Sequence, residues 1–496
     1  MPLVTPVDLV PMDRLGRVHF IGIGGAGMSG IARIMLARGV PVSGSDNGSA
    51  AVLAGLAGLG ADVHAGHAAG NVAAADTVVV SSAIRDTNPE LAEARRRGLR
   101  VIPRAAALAS IMSGRRATAV AGTHGKTTTT SMLTTILRRC GAQPGYVIGG
   151  ILAETGLGAE DGGGQDLVVE ADESDGSFLM LTPHAAVITN VEADHLDNYA
   201  GLAEIRAAFE AFARRIGPGG VLIACADDPG ARAVAGASGD LPIRVLGYGQ
   251  SAAADYRISG VTAHGMGSTF TMTAATSMFG EFSGPVTIAV PGRHNALNAA
   301  AAFAAAVELG FPPADAAAAL SAYGGAQRRM EPKGTGDGVR VLDSYAHHPT
   351  EVAADLAAAR DLADGGRVIA VFQPHLFSRT RIFGADLGAA LGLADEAIVL
   401  DIYAAREDPE PGITGRLVAG AVPGGRARFL PDAGQVPSAI AETAKPGDLV
   451  LTMGAGDVTR LGPDIVAMLR ARAGVPAGPA GPAGPAGHGS PAGPEG

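Results

Sequence analysis

Two strands that each run straight into a glycine-rich turn and a helix constrain this chain more than anything else in it. The first turn is Gly22-Ile-Gly24-Gly25-Ala26-Gly27, and the second is Gly122-Thr123-His124-Gly125-Lys126-Thr127-Thr128. A short apolar strand, a glycine turn and a helix start form the basic unit of parallel α/β sheets. Two such units, with a reset of the pattern near 110–115, predict two separate sheets. The first unit reads as strands at 17–21, 40–43 and 77–81, with helices at 28–38 and 50–59. The second carries strands at 166–170, 186–190 and 221–224, a β-rich insert over 244–290 and an alanine-rich helix after Pro291. A loop rich in Pro, Gly and charge at 331–338 then precedes a third α/β unit with strands at 339–343, 367–372, 396–400 and 448–452. At about 150 residues per domain, 496 residues also argue for three. The expected class is α/β: domains at 1–113, 114–327 and 328–474, the outer two Rossmann-like, the central one a P-loop domain with a parallel sheet and a small β-rich part. A Pro-Ala-Gly tail at 475–496 is too short for a collagen helix and is expected to be disordered.

Composition narrows the ligand classes. A net charge of −10, 4% aromatic residues and no tryptophan argue against a phosphate-backbone footprint or a base-stacking platform, so no nucleic-acid partner is expected. An anionic ligand must then be held by loops, helix ends and single cations. Two cysteines cannot make a disulfide framework or a four-cysteine zinc site. The first residues lack the pattern of a signal peptide, and the longest apolar run, at 299–307, is too short to span a bilayer. A cytoplasmic protein with no membrane insertion is expected.

The chain has three lysines, at 126, 333 and 445, which makes Lys126 inside a glycine loop conspicuous. Backbone N–H groups of that loop can cradle phosphates, Lys126 can reach β- and γ-oxygens, and the Thr127 hydroxyl can ligate Mg²⁺. The G-x-x-x-x-G-K-[ST] pattern fails only at its first position, where Val120 stands. The first glycine loop suits a diphosphate at a helix N-terminus. NAD(P) or FAD, another diphosphate and a structural turn all remain open for it, with Asp46 where a ribose-binding acid would sit. Two acidic segments, Glu170-Ala-Asp172-Glu173-Ser-Asp175 and Asn190-Val-Glu192-Ala-Asp194-His195, fall at strand ends beside the phosphate loop. They could hold metal against phosphate or simply cap loops. Asn295 could read an adenine edge or cap its helix. His347 and His348 resemble a metal-binding fragment but lack clear third and fourth ligands.

Taken together, HFIGIGGAGMSGIA, SSAI, AGTHGKTTTT, EADESDGSF, TNVEADHLDNY, HHPTE, FQPHLFSRTR and GAGDVTRL, spread over residues 14–460, resemble the Mur ligases of peptidoglycan synthesis, most nearly their alanine-adding branch. The resemblance implies a UDP-substrate domain, an ATPase domain and a C-terminal ligase domain. It also implies ATP-driven ligation of L-alanine to the lactyl carboxylate of UDP-N-acetylmuramate, releasing ADP and phosphate, with Mg²⁺, two ions in all, as cofactor. It assigns the first loop, Gly24, Gly25, Ala26, Gly27 and Met28, to UDP's diphosphate, with His67, Ser81 and Ser82 on the uridine side. ATP would lie on Gly122, Thr123, His124, Gly125, Lys126, Thr127, Thr128, Asn295, Arg329 and Asp343. Thr127, Glu170 and His195 would be metal ligands, Tyr345 and His348 would meet the amino acid, and Lys126, His348 and Arg379 would be catalytic. The carbamylated lysine of some relatives is excluded, because no lysine stands between 126 and 333. Ala404 and Ala106 replace a proline and a glutamate usual in the family. Rival readings are a recycling ligase that adds a tripeptide to the same sugar nucleotide, an NAD-dependent oxidoreductase and a nucleotide-switch protein.

Overall fold

The computed structural model describes residues 7–474 apart from 49, 197 and 406, so the expected tail at 475–496 lies outside the described residues. The described residues form three sheets. The first has five parallel strands, in spatial order Asp62–Ala65, Val42–Asp46, Val18–Ile21, Thr77–Val80 and Arg100–Pro103. Val18–Ile21 is buried at every position and lies where the strand order reverses. That reversal opens the crevice into which such sheets bind ligands. The helix Ala26–Ala37 starts at this crevice.

The central sheet has ten strands. Its parallel part runs through Gly145–Leu152, Asp166–Glu170, Arg116–Ala121, Ala185–Ile188, Val221–Cys225 and Arg244–Gly249. The β-rich stretch is no separate insert. Tyr256–His264 pairs onto Arg244–Gly249, and Gly267–Thr276 and Gly280–Ile288 extend the same sheet antiparallel. The helix Arg293–Glu308 is buried from Ala299 to Val307 and packs on Lys126–Arg139. Alanine fits there because its small side chain lets two helices behind a sheet approach closely.

The third sheet has six strands, ordered Glu331–Gly336, Val339–Ser344, Leu449–Met453, Val368–Phe372, Glu396–Val399 and Ala427–Phe429. All neighbours are parallel except the first pair. The segment expected to be a linking loop at 331–338 is therefore an edge strand and its turn. Its register shifts between Pro332 and Gly334, the irregularity by which an edge strand accommodates proline and glycine. One apolar core spans the first and central domains, and the third sheet has its own core on each face.

Candidate active site

The phosphate loop follows the strand Arg116–Ala121 at the middle of the central sheet. Gly125 has φ 84°, and a Cβ there would meet Asn298 Oδ1 at 2.5 Å, so only glycine fits. Asn190, at the end of the next strand, pins the loop: its Oδ1 accepts from the His124 amide at 2.8 Å and its carbonyl from the Thr123 amide at 3.0 Å. Lys126 opens the helix, whose first turn offers unpaired N–H groups and a positive dipole end. Its Nζ donates to the carbonyls of Gly122 (2.6 Å) and Thr123 (3.2 Å) and pairs with Glu173 at 2.8 Å. Burial alone would lower the Lys126 pKa, but Glu173, Asp172 and Glu170 raise it above the ordinary lysine value, so it stays cationic. Thr127 Oγ1 lies 3.1 and 3.0 Å from the two oxygens of Glu170, which also accepts from the Gly149 amide at 2.7 Å.

A cleft of about 360 Å³ gathers all three domains around these groups. Ala26 and Gly27 of the first glycine loop, Lys126, Thr127, Glu170 and His195 of the central domain, and Arg329, Tyr345 and His347 from further along line it. His195 sits at φ 52° and faces Glu173 and Asp194, each at 3.6 Å. Glu170 and His195, expected as metal ligands, share the cleft with no ion pair between them among the described residues. Against the effect of burial, Glu173 and Asp194 raise the His195 pKa.

Two smaller cavities adjoin. One, about 140 Å³, lies behind the phosphate loop between Gly125, Thr128, Tyr248, Asn295, Asn298 and Thr350. Asn295 is within its helix and not at the cap, which is Gly292; its side chain is buried and donates to the Pro291 carbonyl at 2.6 Å. The other, about 170 Å³, is lined by Tyr345, His347, His375, Ser378 and Arg379 with Asp194 and His195. Arg379 is buried and pairs with Asp194 at 2.7 Å.

His348, expected beside the amino acid, lines none of these three cavities. Pro349 occupies the first helical position and makes His348 the N-cap of Pro349–Ala363, with its ring 4.6 Å from that of His124 and 5.0 Å from Phe383. Its neighbour His347 lines both the cleft and the small cavity. Burial, with Glu351 opposing it and Arg379 reinforcing it, brings the His347 pKa down to about 3, so the ring is neutral. His124 behaves oppositely: burial would lower it, but Glu351 at 3.2 Å and Glu192 at 3.6 Å raise it to about 9. Asp343 is fully buried within its own domain, accepting from Thr452 and Thr459 at 2.7 Å each, and lines none of the three cavities.

In the first domain, Asp46 accepts from the Gly24 amide at 3.0 Å and so braces the loop. Met28 turns its side chain into the core, leaving only its backbone for a ligand. His67 is held by Ser45 Oγ at 2.8 Å and Glu90 at 3.2 Å; like Gly24, Gly25, Ser81 and Ser82, it lies outside the cleft wall. Two lining residues are given no role by the sequence, although Glu351 closes the HHPTE segment. Arg104 pairs with Asp172 at 2.9 Å, and a Cβ on Gly27 would meet its Nη1 at 2.7 Å, so one guanidinium joins the first loop to the acidic segment. Glu351 meets His124 from the third domain.

A phosphate loop, a second diphosphate-type loop and a third α/β domain closing on one cleft define a P-loop ligase of three domains. Family models for the Mur ligase family catalytic domain, the Mur ligase middle domain and the Mur ligase glutamate ligase domain match residues 17–116, 120–306 and 328–456. The chain belongs to the Mur ligase family. It is 56% identical to the UDP-N-acetylmuramate–L-alanine ligase of Thermobifida fusca, over 95% of this chain and 100% of that one. Against the enzyme of the same name from a Nocardioides strain the identity is 54%, with the same coverage. Among solved structures, the UDP-N-acetylmuramate–alanine ligase of Thermotoga maritima is similar with a TM-score of 0.75 at 28% identity, covering 92% of this chain and 99% of that one. A murein peptide ligase from Psychrobacter arcticus gives 0.67 at 26%, covering 92% and 99%.

Proposed function

We infer that this protein is an ATP-dependent amide ligase. It joins L-alanine to the lactyl carboxylate of UDP-N-acetylmuramate through an acyl phosphate, giving ADP and phosphate, in peptidoglycan precursor synthesis. The observation that carries the reading is the single cleft shared by Gly27, Lys126 and His347, one from each domain. A reaction that must assemble a sugar nucleotide, ATP and an amino acid needs such a meeting point.

The first step brings a carboxylate against a γ-phosphate. Two unit charges at 4 Å repel by about 4 kcal/mol at an effective dielectric of 20. Lys126, kept cationic by its acidic neighbours, supplies charge of the opposite sign where the two oxyanions meet. Thr127 and Glu170 fit a hard dication, because their oxygens lie 3.0–3.1 Å apart, close to the ~2.9 Å between adjacent oxygens around octahedral Mg²⁺. Mg²⁺ held there, with a second ion toward His195, would supply further positive charge to the phosphate oxygens. Asn295 and the cavity behind the loop take the adenine side, and Gly24–Met28, braced by Asp46, take the UDP diphosphate, with His67, Ser81 and Ser82 toward uridine.

The small cavity suits the amino acid: about 170 Å³ beside Arg379, Tyr345 and His347 leaves space for alanine. With its low pKa, His347 accepts a hydrogen bond from the incoming amine and orients it. Amine attack on the acyl phosphate then expels phosphate. Closing the third domain over the cleft keeps water from that intermediate. A cytoplasmic setting is proposed because ATP and a UDP-linked precursor meet there; among the described residues no helix is long and apolar enough to cross a membrane. Phosphate release should require ATP, UDP-N-acetylmuramate and L-alanine together. Turnover with a tripeptide in place of alanine, or with ATP alone, would overturn the reading.

A further inference from the structure

The seam between the phosphate loop and the third domain contains a cluster whose side chains take no part in the steps above, although one of them, His124, lines both the cleft and the cavity behind the loop. His124 Nε2 and His348 Nε2 are both buried without a hydrogen-bond partner, and His348 is only 5% exposed. Glu192 lies 3.6 Å from His124 Nε2. One ligand atom from each of His124, Glu192 and His348 falls within 4.8 Å of the others, and no other group of three or more such side chains does so among the described residues. We propose that His124, Glu192 and His348 form a site for a transition-metal dication of the zinc class, distinct from the magnesium positions at Thr127, Glu170 and His195.

The donor set selects the ion. Two imidazoles and one carboxylate suit zinc or cobalt, whereas magnesium prefers oxygen ligands and retained water. The surrounding groups orient the ligands as metal sites require. Glu351 accepts from His124 Nδ1–H at 3.2 Å, which turns Nε2 toward the cluster, and the arriving ion displaces the Nε2 proton to solvent. Thr350 Oγ1 donates to Glu192 Oε2 at 2.6 Å, the same oxygen that lies 3.6 Å from His124 Nε2, and so holds that oxygen at the cluster with a lone pair left for an ion. Bonds of about 2.0–2.1 Å in a tetrahedral site put neighbouring ligand atoms about 3.3 Å apart, so the cluster must contract. Glu192, whose side chain is about one-third exposed, has room to swing inward. Ligation through His348 Nε2 gives up the Nδ1 contact with the Thr350 amide, which at 3.4 Å is a weak hydrogen bond. Water fills the fourth position. Because His348 belongs to the third domain and the other two ligands to the central one, a bound ion ties the domains together in the closed form.

The full-length protein, saturated with Mg²⁺, is titrated with Co²⁺ and followed by visible absorption. The proposal expects one equivalent to give the bands of a four-coordinate site. Affinity should fall at least about tenfold in both Glu192→Gln and His348→Asn, and should persist in His195→Gln, which alters only the expected magnesium site. If His348→Asn does not fold, Glu192→Gln decides alone. No bands in the wild type, bands unchanged in Glu192→Gln, or bands lost in His195→Gln would each overturn it.

Discussion

Lys126 is bound by carboxylates on one side and by loop carbonyls on the other, so its charge is fixed before any phosphate arrives. Preorganised charge of this kind is worth about 10²–10³ in rate per contact. Lys126→Ala is expected to lower kcat by at least about 10²-fold, measured by ADP formation; near-normal turnover would contradict its assignment. His347, which lines the small cavity, makes a different prediction. His347→Ala should raise the KM for L-alanine at least about tenfold, the scale of one polar contact to a charged group, while leaving the KM for ATP within a few-fold. Steady-state kinetics with each substrate varied in turn would show the split. The glycine loops, Lys126 and Thr127 were legible in sequence because contiguous backbone fixes where they point. Which histidine faces the cleft depends on where a helix begins, and Pro349 is the local signal for that. Arg104 and Glu351 act through contacts across domains; Glu351 stands in the HHPTE segment, but no local pattern encodes the partners the two residues meet.

At the scale of elements, the helix Pro89–Arg96 places Glu90 in its first turn, fully buried against Ser45, Asn71 and the His19–His67 side of the first sheet. Burial would raise its pKa, but the His19 imidazole 3.6 Å away and hydrogen bonds from Ser45 and Asn71 lower it from 4.5 to about 2. A depressed carboxyl contributes stability that is present above its unfolded value and lost as pH falls toward the folded one. The shift corresponds to about 3 kcal/mol, so the melting temperature should drop between pH 5 and about 2, with Glu90→Gln showing a shallower decline. Equal slopes in both proteins would refute the role. The parallel strands 17–21, 166–170 and 221–224 announce themselves as apolar runs ending in turns. The edge strands Asp62–Ala65, Leu157–Glu160 and Glu331–Gly336 do not, because half-exposed positions and glycine leave no period to read.

Over the whole molecule, the domains are joined in two different ways. The first and central domains share an apolar core, and a Cβ on Gly30 would meet Ala159 at 2.9 Å. The third domain meets the central one largely through polar contacts: Arg379–Asp194, Thr350–Glu192 and Glu351–His124. Polar seams of this kind open more readily than apolar ones. Arg379→Met leaves Asp194 buried with only His195 beside it, and breaking a buried pair costs up to about 3–5 kcal/mol. Small-angle scattering should therefore show a larger radius of gyration for that variant than for the wild type, and an unchanged radius would contradict a seam held by charge. Three domains could be read from length and pattern resets. Which pair is welded could not, since alanine-rich faces fit apolar and polar neighbours alike.

The account rests on ATP activating the lactyl carboxylate before the amine attacks. UDP-N-acetylmuramate labelled with ¹⁸O in that carboxylate tests this directly, by mass analysis of the phosphate released during ligation to L-alanine. One labelled oxygen per phosphate is the predicted result; unlabelled phosphate alongside normal product would contradict it.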